Sequence, residues 1–254
     1  MSYLKTEIND RVAVIALSDP KRRNAMSIDL CAEVEESFDS LEADPDVGAI
    51  VVTGEGTSFC AGADLSKLDD DDYRGGLLDI YAGFLRVGSS PLPTIAAVNG
   101  HAVGAGMNLA LIADLRLAGE SARFDARFLQ LGIHPGGGHT WMFRRIAGPQ
   151  ATFAADLFGE IMDGKEAERA GLVWRCVPDD QLLDEAVKLA GRAAAGPPEL
   201  VRKIKATIVD QADITTQVAA MERELDPQVW SIGEPMFQKT LAKLRSGGPK
   251  KPTR

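Results

Sequence analysis

Apolar runs of five or six residues alternate, through the first half of the chain, with stretches of three-to-four-residue periodicity. Val12-Ala-Val-Ile-Ala-Leu17 reads as a strand stopped by Ser18-Asp-Pro20. Ser27 suits an N-cap, and Leu30, Val34, Phe38 and Leu41 then share one face of a helix that runs to about Ala43, before Pro45. Residues 48–53, 94–98 and 115–118 repeat the strand pattern. A loop of small residues, 54–63, and a polar helical region containing Asp69–Asp72 lie between the second and third strands; the aspartates suit a solvated helix start or lid edge. Strands alternating with helices predict an α/β core with mostly parallel pairing.

From about Thr140 the pattern turns helical, with Gly148-Pro149 separating two helices and a short third at 164–171. Residues 173–177 look strand-like, and 179–194 are amphipathic through Leu182, Leu183, Ala186, Leu189 and Ala190. Gly196-Pro-Pro198 can stop one helix and start the next, giving a core at 1–196 and a helical region at 197–254 with three further helices.

Composition narrows the function classes. The chain has 254 residues, 45% of them hydrophobic, which excludes a disordered chain and allows a full core. Lys and Arg number 28 against 37 Asp and Glu, a net charge of −9, so nucleic acid and anionic membrane are excluded as main partners. A small anion held by a local basic pocket remains compatible. Three separated cysteines (Cys31, Cys60, Cys176) favour neither a disulfide framework nor zinc, and fit a reducing cytosol. The start of the chain shows no secretory signal, and the apolar stretch 94–113 is broken by Asn99, His101, Asn108 and glycines. A cytoplasmic protein is expected.

Glycines carry the candidate chemistry. Gly54-Glu-Gly56 and Gly104-Ala-Gly106 lack the third glycine of a dinucleotide fingerprint, and no phosphate-loop motif occurs. Two strand-to-helix segments instead form a pair: Ser58-Phe-Cys-Ala-Gly-Ala-Asp-Leu65 and Asn99-Gly-His-Ala-Val-Gly-Ala-Gly-Met-Asn108. Small residues let backbone approach a ligand, and helix starts present free N–H groups. Two such groups converging would make an oxyanion hole; each turn alone is equally compatible with no ligand.

Phe59-Cys-Ala-Gly-Ala-Asp-Leu65, Pro93-Thr-Ile-Ala-Ala-Val-Asn-Gly-His-Ala-Val-Gly-Ala-Gly106 and Leu109-Ala-Leu-Ile-Ala-Asp114 resemble the enoyl-CoA hydratase/isomerase (crotonase) family, as do segments 20–26, 131–137 and 167–173. The resemblance runs over roughly residues 8–200. It implies a spiral of ββα units with a C-terminal helical trimerisation region, a homotrimer or hexamer, and enolate chemistry on a CoA thioester. It places the two backbone donors at Ala63 and Ala105, the latter where glycine is usual, just after Gly104. It implies CoA along Ala61, Ala63, Asp64 and Leu65, with Arg22 or Arg23, and Lys243 and Arg245, toward phosphates, and Gly136 beside the substrate. No cofactor beyond the CoA moiety, and no metal, is implied; His101, His134 and His139 fit no common zinc spacing.

The pattern breaks at the two glutamates that the family's hydratases use on water. Asn108 and Phe128 stand there, and neither transfers a proton. Asp125, if the turn to Phe128 is helical, and His134, in the mid-chain loop, are the candidate replacements; His139 flanks the same loop. Two readings follow: an enzyme of atypical or weak hydratase activity, acting as lyase or isomerase, or a protein that binds acyl-CoA without turnover.

Overall fold

A computed structural model of the chain describes residues 2–64 and 72–246. Leu65 and Asp69–Asp71 lie outside the described residues. The chain divides into two compact units, Met1–Ala195 and Gly196–Arg254.

The first unit is built on two sheets that receive strands alternately. β1 (Leu4–Asn9) and β2 (Val12–Leu17) form an antiparallel hairpin. β3 (Ala49–Gly54), β5 (Thr94–Val98), β7 (Leu115–Gly119) and β10 (Arg175–Val177) then extend β2 in parallel, giving the order β1-β2-β3-β5-β7-β10. The second sheet, β4-β6-β8-β9, takes the short partners β4 (Ser58–Cys60), β6 (His101–Val103), β8 (Arg123–Asp125) and β9 (Met162–Asp163). Three of the long strands are each followed by a short one in the other sheet and then by helix: β3-β4 leads to α2 (Tyr73–Ser89), β5-β6 to α3 (Ala105–Ile112), and β7-β8 to α4 (His139–Asp156). This is the expected spiral of ββα units.

Buried strands explain the apolar runs: every residue of β3 and β5 is buried, as in a parallel sheet covered on both faces. α1 (Ile28–Ala43) starts where Ser27 accepts from the Leu30 N–H, and buries Leu30, Cys31, Val34, Phe38 and Leu41. α4 bends at Gly148, whose φ of 78° is open to glycine at little cost. α5 (Gly164–Arg169) opens with a capping box between Asp163 and Glu166. α6 (Leu182–Ala194) covers the outer face of the six-stranded sheet with Leu182, Ala186, Ala190 and Ala194.

Two features depart from the sequence reading. The loop at 54–63 contains β4, and the strand-like stretch from 173 is a strand only over Arg175–Val177. β4, β6 and β8 have three residues each, too few to write an alternating pattern, and exist because they pair with one another. Asp114 binds within the fold, accepting the Thr94 N–H at 2.8 Å. Arg116 caps the end of α3 through the carbonyls of Leu111 and Ala113, and burial lowers its guanidinium to about 10.

The second unit holds α7 (Pro198–Asp210), α8 (Gln217–Gly233) and α9 (Pro235–Ser246). Ile204, Ile208, Val218, Met221, Val229 and Leu244 are all more than half exposed there.

Candidate functional site

The two glycine segments meet backbone against backbone. β4 and β6 pair in parallel, so the turns that follow them emerge side by side. A Cβ on Gly106 would lie 2.1 Å from the Cys60 carbonyl oxygen, and one on Gly62 3.0 Å from that of Val103. Gly104, at φ 50° and ψ −112°, turns the chain into α3. These positions tolerate no side chain, which is why small residues cluster there.

The same packing frees two N–H groups. Ala63 bridges Met26 in parallel fashion, with Met26 N–H donating to Gly62 O at 2.8 Å and Asp64 N–H to Met26 O at 2.9 Å. Ala63 N–H therefore points away from Met26, and Ala105 N–H is a first-turn helix donor with no intrahelical partner. Ala61 N–H differs, because it already donates to Arg23 O at 3.0 Å. Its backbone donor is spent on the fold.

Ala63 and Ala105 line a cavity of about 510 Å³, together with Tyr81, Asn108, Phe128 and His134. Gly104 and Gly136 line it as well. Phe128, 9% exposed, stacks edge-on against His139 with ring centroids 4.9 Å apart. Asn108 donates through Nδ2 to Gly136 O at 3.0 Å, and its Oδ1 lies 2.7 Å from His139 Nδ1.

Of the two candidate bases, the cavity contains one. His134 is exposed on its rim, and its Nδ1–H donates to Pro135 O at 2.7 Å. That bond assigns a proton to Nδ1, and Nε2 has no hydrogen-bond partner among the described residues. Asp125 does not line the cavity: it faces a separate cleft with His101, Arg123 and Glu166, and its carboxylate is paired with Arg127. The expected helical turn is absent, because Asp125 ends β8 and Arg127 adopts φ 57°. Strand geometry sends the Asp125 side chain out of the cavity, while its backbone oxygen accepts the Gly104 N–H at 2.9 Å.

Arg22 lies 3.8 Å from Asp64 and 3.9 Å from Asp19, with about half its side chain exposed. Arg23 is exposed. Lys243 and Arg245 occupy the last turn of α9 in the second unit. Cys60 is fully buried, and burial raises its thiol to about 12, so it is not a thiolate nucleophile at neutral pH. Among the described residues, no three His, Cys, Asp or Glu side chains gather as a metal set. No helix among them is long and apolar enough to cross a membrane.

Sequence reasoning missed Tyr81. Its hydroxyl packs against Gly136, where a Cβ would come within 2.2 Å of it. Leu77, Tyr81 and Phe84 repeat at helical spacing, a signal masked by the polar stretch that precedes them.

Delivery of successive strands to two sheets, each pair followed by a helix, defines a crotonase-like fold. A family model described as enoyl-CoA hydratase/isomerase matches residues 7–243, and the chain belongs to that family. It is 48% identical over 243 residues to the probable enoyl-CoA hydratase EchA14 of Mycobacterium tuberculosis, covering 92% of this chain and 94% of that one. It is 32% identical to a 1,2-epoxyphenylacetyl-CoA isomerase of Escherichia coli, covering 90% and 89% of the two chains. The crystal structure of an enoyl-CoA hydratase from Bacillus anthracis matches with a TM-score of 0.90 at 26% identity, over 96% of both chains.

Proposed function

We propose that this protein binds acyl-CoA thioesters with the carbonyl oxygen between the N–H groups of Ala63 and Ala105, and that His134 moves the proton. The observation that supports this most is the pair of unspent backbone donors lining one cavity. In the ground state they bind a carbonyl dipole. When a proton leaves the carbon beside the thioester, negative charge moves onto that oxygen and both bonds strengthen. Each such donor is worth about 3–4 kcal/mol to a transition state. His134 Nε2 takes the proton; returning it at a neighbouring carbon gives the isomerase outcome, and loss of a leaving group from the third acyl carbon of the enolate, with that electron pair forming the double bond, gives the lyase outcome. Coenzyme A is the only cofactor-like moiety in this reading, and it arrives with the substrate. Arg22, exposed beside Asp64, is the residue on the first loop suited to its phosphates.

Titration with butyryl-CoA, which offers nothing to hydrate, tests the binding half. Saturable binding below millimolar concentration is expected; no heat up to millimolar ligand overturns the reading. For the catalytic half, His134→Gln should cut turnover of acyl-CoA substrates by about 10²–10⁴-fold while leaving affinity within a few fold. Undiminished turnover would remove His134 from the reaction.

Asn108 and Phe128 in the glutamate positions favour a second reading, an acyl-CoA carrier without turnover. Mass-spectrometric product analysis over a panel of acyl-CoA thioesters separates the two. Under either reading we propose a cytoplasmic protein that assembles as a homotrimer or hexamer, the assembly being supported by the exposed apolar side chains of α7, α8 and α9. Light scattering at micromolar concentration should give a mass at least three times that of the chain; a monomeric mass contradicts it.

A further inference from the structure

Behind Asn108, which lines the cavity, runs a chain of three polar side chains that ends at a second cleft beside Trp141 and Phe153: Asn108, His139 and Asp156, exposed to 2, 1 and 8% respectively. His139 Nε2 faces Asp156 Oδ1 at 3.0 Å, while its Nδ1 faces Asn108 Oδ1 at 2.7 Å. The Gly136 carbonyl only accepts, so Asn108 must turn its NH₂ toward Gly136 and its oxygen toward His139. His139 Nδ1 therefore carries a proton. Nε2 meets the Asp156 carboxyl on the opposite side of the ring.

This arrangement is costly for packing alone. Asp156 Oδ2 is buried with no hydrogen-bond partner among the described residues. Phe128 and Phe143 flank the His139 ring, at 4.9 and 5.6 Å between centroids, so an apolar side chain would suit the space. What the trio achieves is orientation: with its oxygen held by His139, the Asn108 amide cannot flip. Its NH₂ stays on the Gly136 side, and only one of its two N–H groups is used there.

Asn108 lines the cavity three residues after Ala105, about 4.5 Å further along α3. With a thioester oxygen on the Ala105 N–H, that distance reaches a substituent on the third acyl carbon. We propose that His139 and Asp156 are positioning residues that lock Asn108 as a fixed hydrogen-bond donor, so that the site prefers acyl-CoA thioesters carrying an oxygen acceptor on the third acyl carbon. This rests on the acyl-CoA reading above.

Calorimetry with acetoacetyl-CoA and butyryl-CoA tests it, since the two differ by the oxygen on that carbon. The wild-type protein should prefer acetoacetyl-CoA about tenfold, the scale of one hydrogen bond in a dry site. His139→Leu frees the amide to turn and should bring the ratio of affinities close to one. His139→Gln, which retains an amide donor for Asn108, should recover most of the preference. If His139→Leu does not fold, Asn108→Leu, which deletes the donor itself, must collapse the same ratio. Binding of neither thioester sinks the acyl-CoA reading and this proposal with it. Binding of both with no wild-type preference, or with a preference unchanged in the variants, overturns the positioning role alone.

Discussion

Wild-type protein is expected to hydrate crotonyl-CoA at least about 10²-fold more slowly than an Asn108→Glu, Phe128→Glu double variant, measured per folded site. Hydration needs a group that deprotonates water and a group that protonates carbon, and each is worth about 10²–10⁴-fold. Asn108 is an amide fixed by Gly136 and His139, and Phe128 is a phenyl ring packed on His139. Neither titrates. The structure also sets the limits of the rescue. A glutamate at 108 gives up the donor to Gly136 O, and its carboxylate meets the His139 Nδ1–H. A glutamate at 128 must be desolvated where a ring is now 9% exposed. Single variants should gain much less than the double, because groups that act as a unit are not additive. Stability should drop by about 1–3 kcal/mol, so folding is to be followed by thermal melt alongside activity. Brisk wild-type turnover, at about 1–10³ s⁻¹, would contradict the assignment of these two positions.

Gly106→Ala should be, together with Gly100→Ala, among the most disruptive single methyl additions in the first unit. Its Cβ would stand 2.1 Å from the Cys60 carbonyl oxygen and 2.7 Å from the carbon, both backbone atoms that have no rotamer to escape into. Either β4 or the start of α3 must shift, which pulls the Ala63 and Ala105 turns apart. A loss of about 2–4 kcal/mol in urea unfolding is expected. Butyryl-CoA affinity should fall even in the fraction that remains folded. Gly138→Ala is the control: no atom lies within 4 Å of its Cβ, so only the strain of φ 80° acts, about 1 kcal/mol. Equal effects of the two would show that the close approach at Gly106 does not govern the site.

The long elements were legible because their physics is local. β2, β3 and β5 announce themselves as apolar runs, and α1 by a serine cap and a periodic face, since burial on both sides or on one stripe leaves a mark every second or third residue. The glycine turns were legible for a related reason: a backbone that abuts backbone excludes all larger residues, and the exclusion is written in the sequence. The resemblance to the enoyl-CoA hydratase/isomerase family rested on those turns, and the match over residues 7–243 agrees with it.

Side-chain destinations were not legible. Asp125 and His134 looked like equivalent replacements for the missing glutamates. The left-handed turn at Arg127 sends one into an ion pair outside the cavity and leaves the other on its rim. Nothing in the spacing of Asn108, His139 and Asp156, 31 and 17 residues apart, forecasts a hydrogen-bonded line; α3 and α4 had first to pack against one another. Ala61 and Ala63 sit two residues apart in one motif, yet Arg23 consumes the first N–H and leaves the second open. By itself the sequence determined where backbone must come close and which stretches must be buried, because those demands act on each residue through its immediate neighbours. Which donors stay free, and which polar groups share a cavity, only the tertiary structure decided, because a hydrogen bond depends on the position and direction of two groups that the chain brings together from afar.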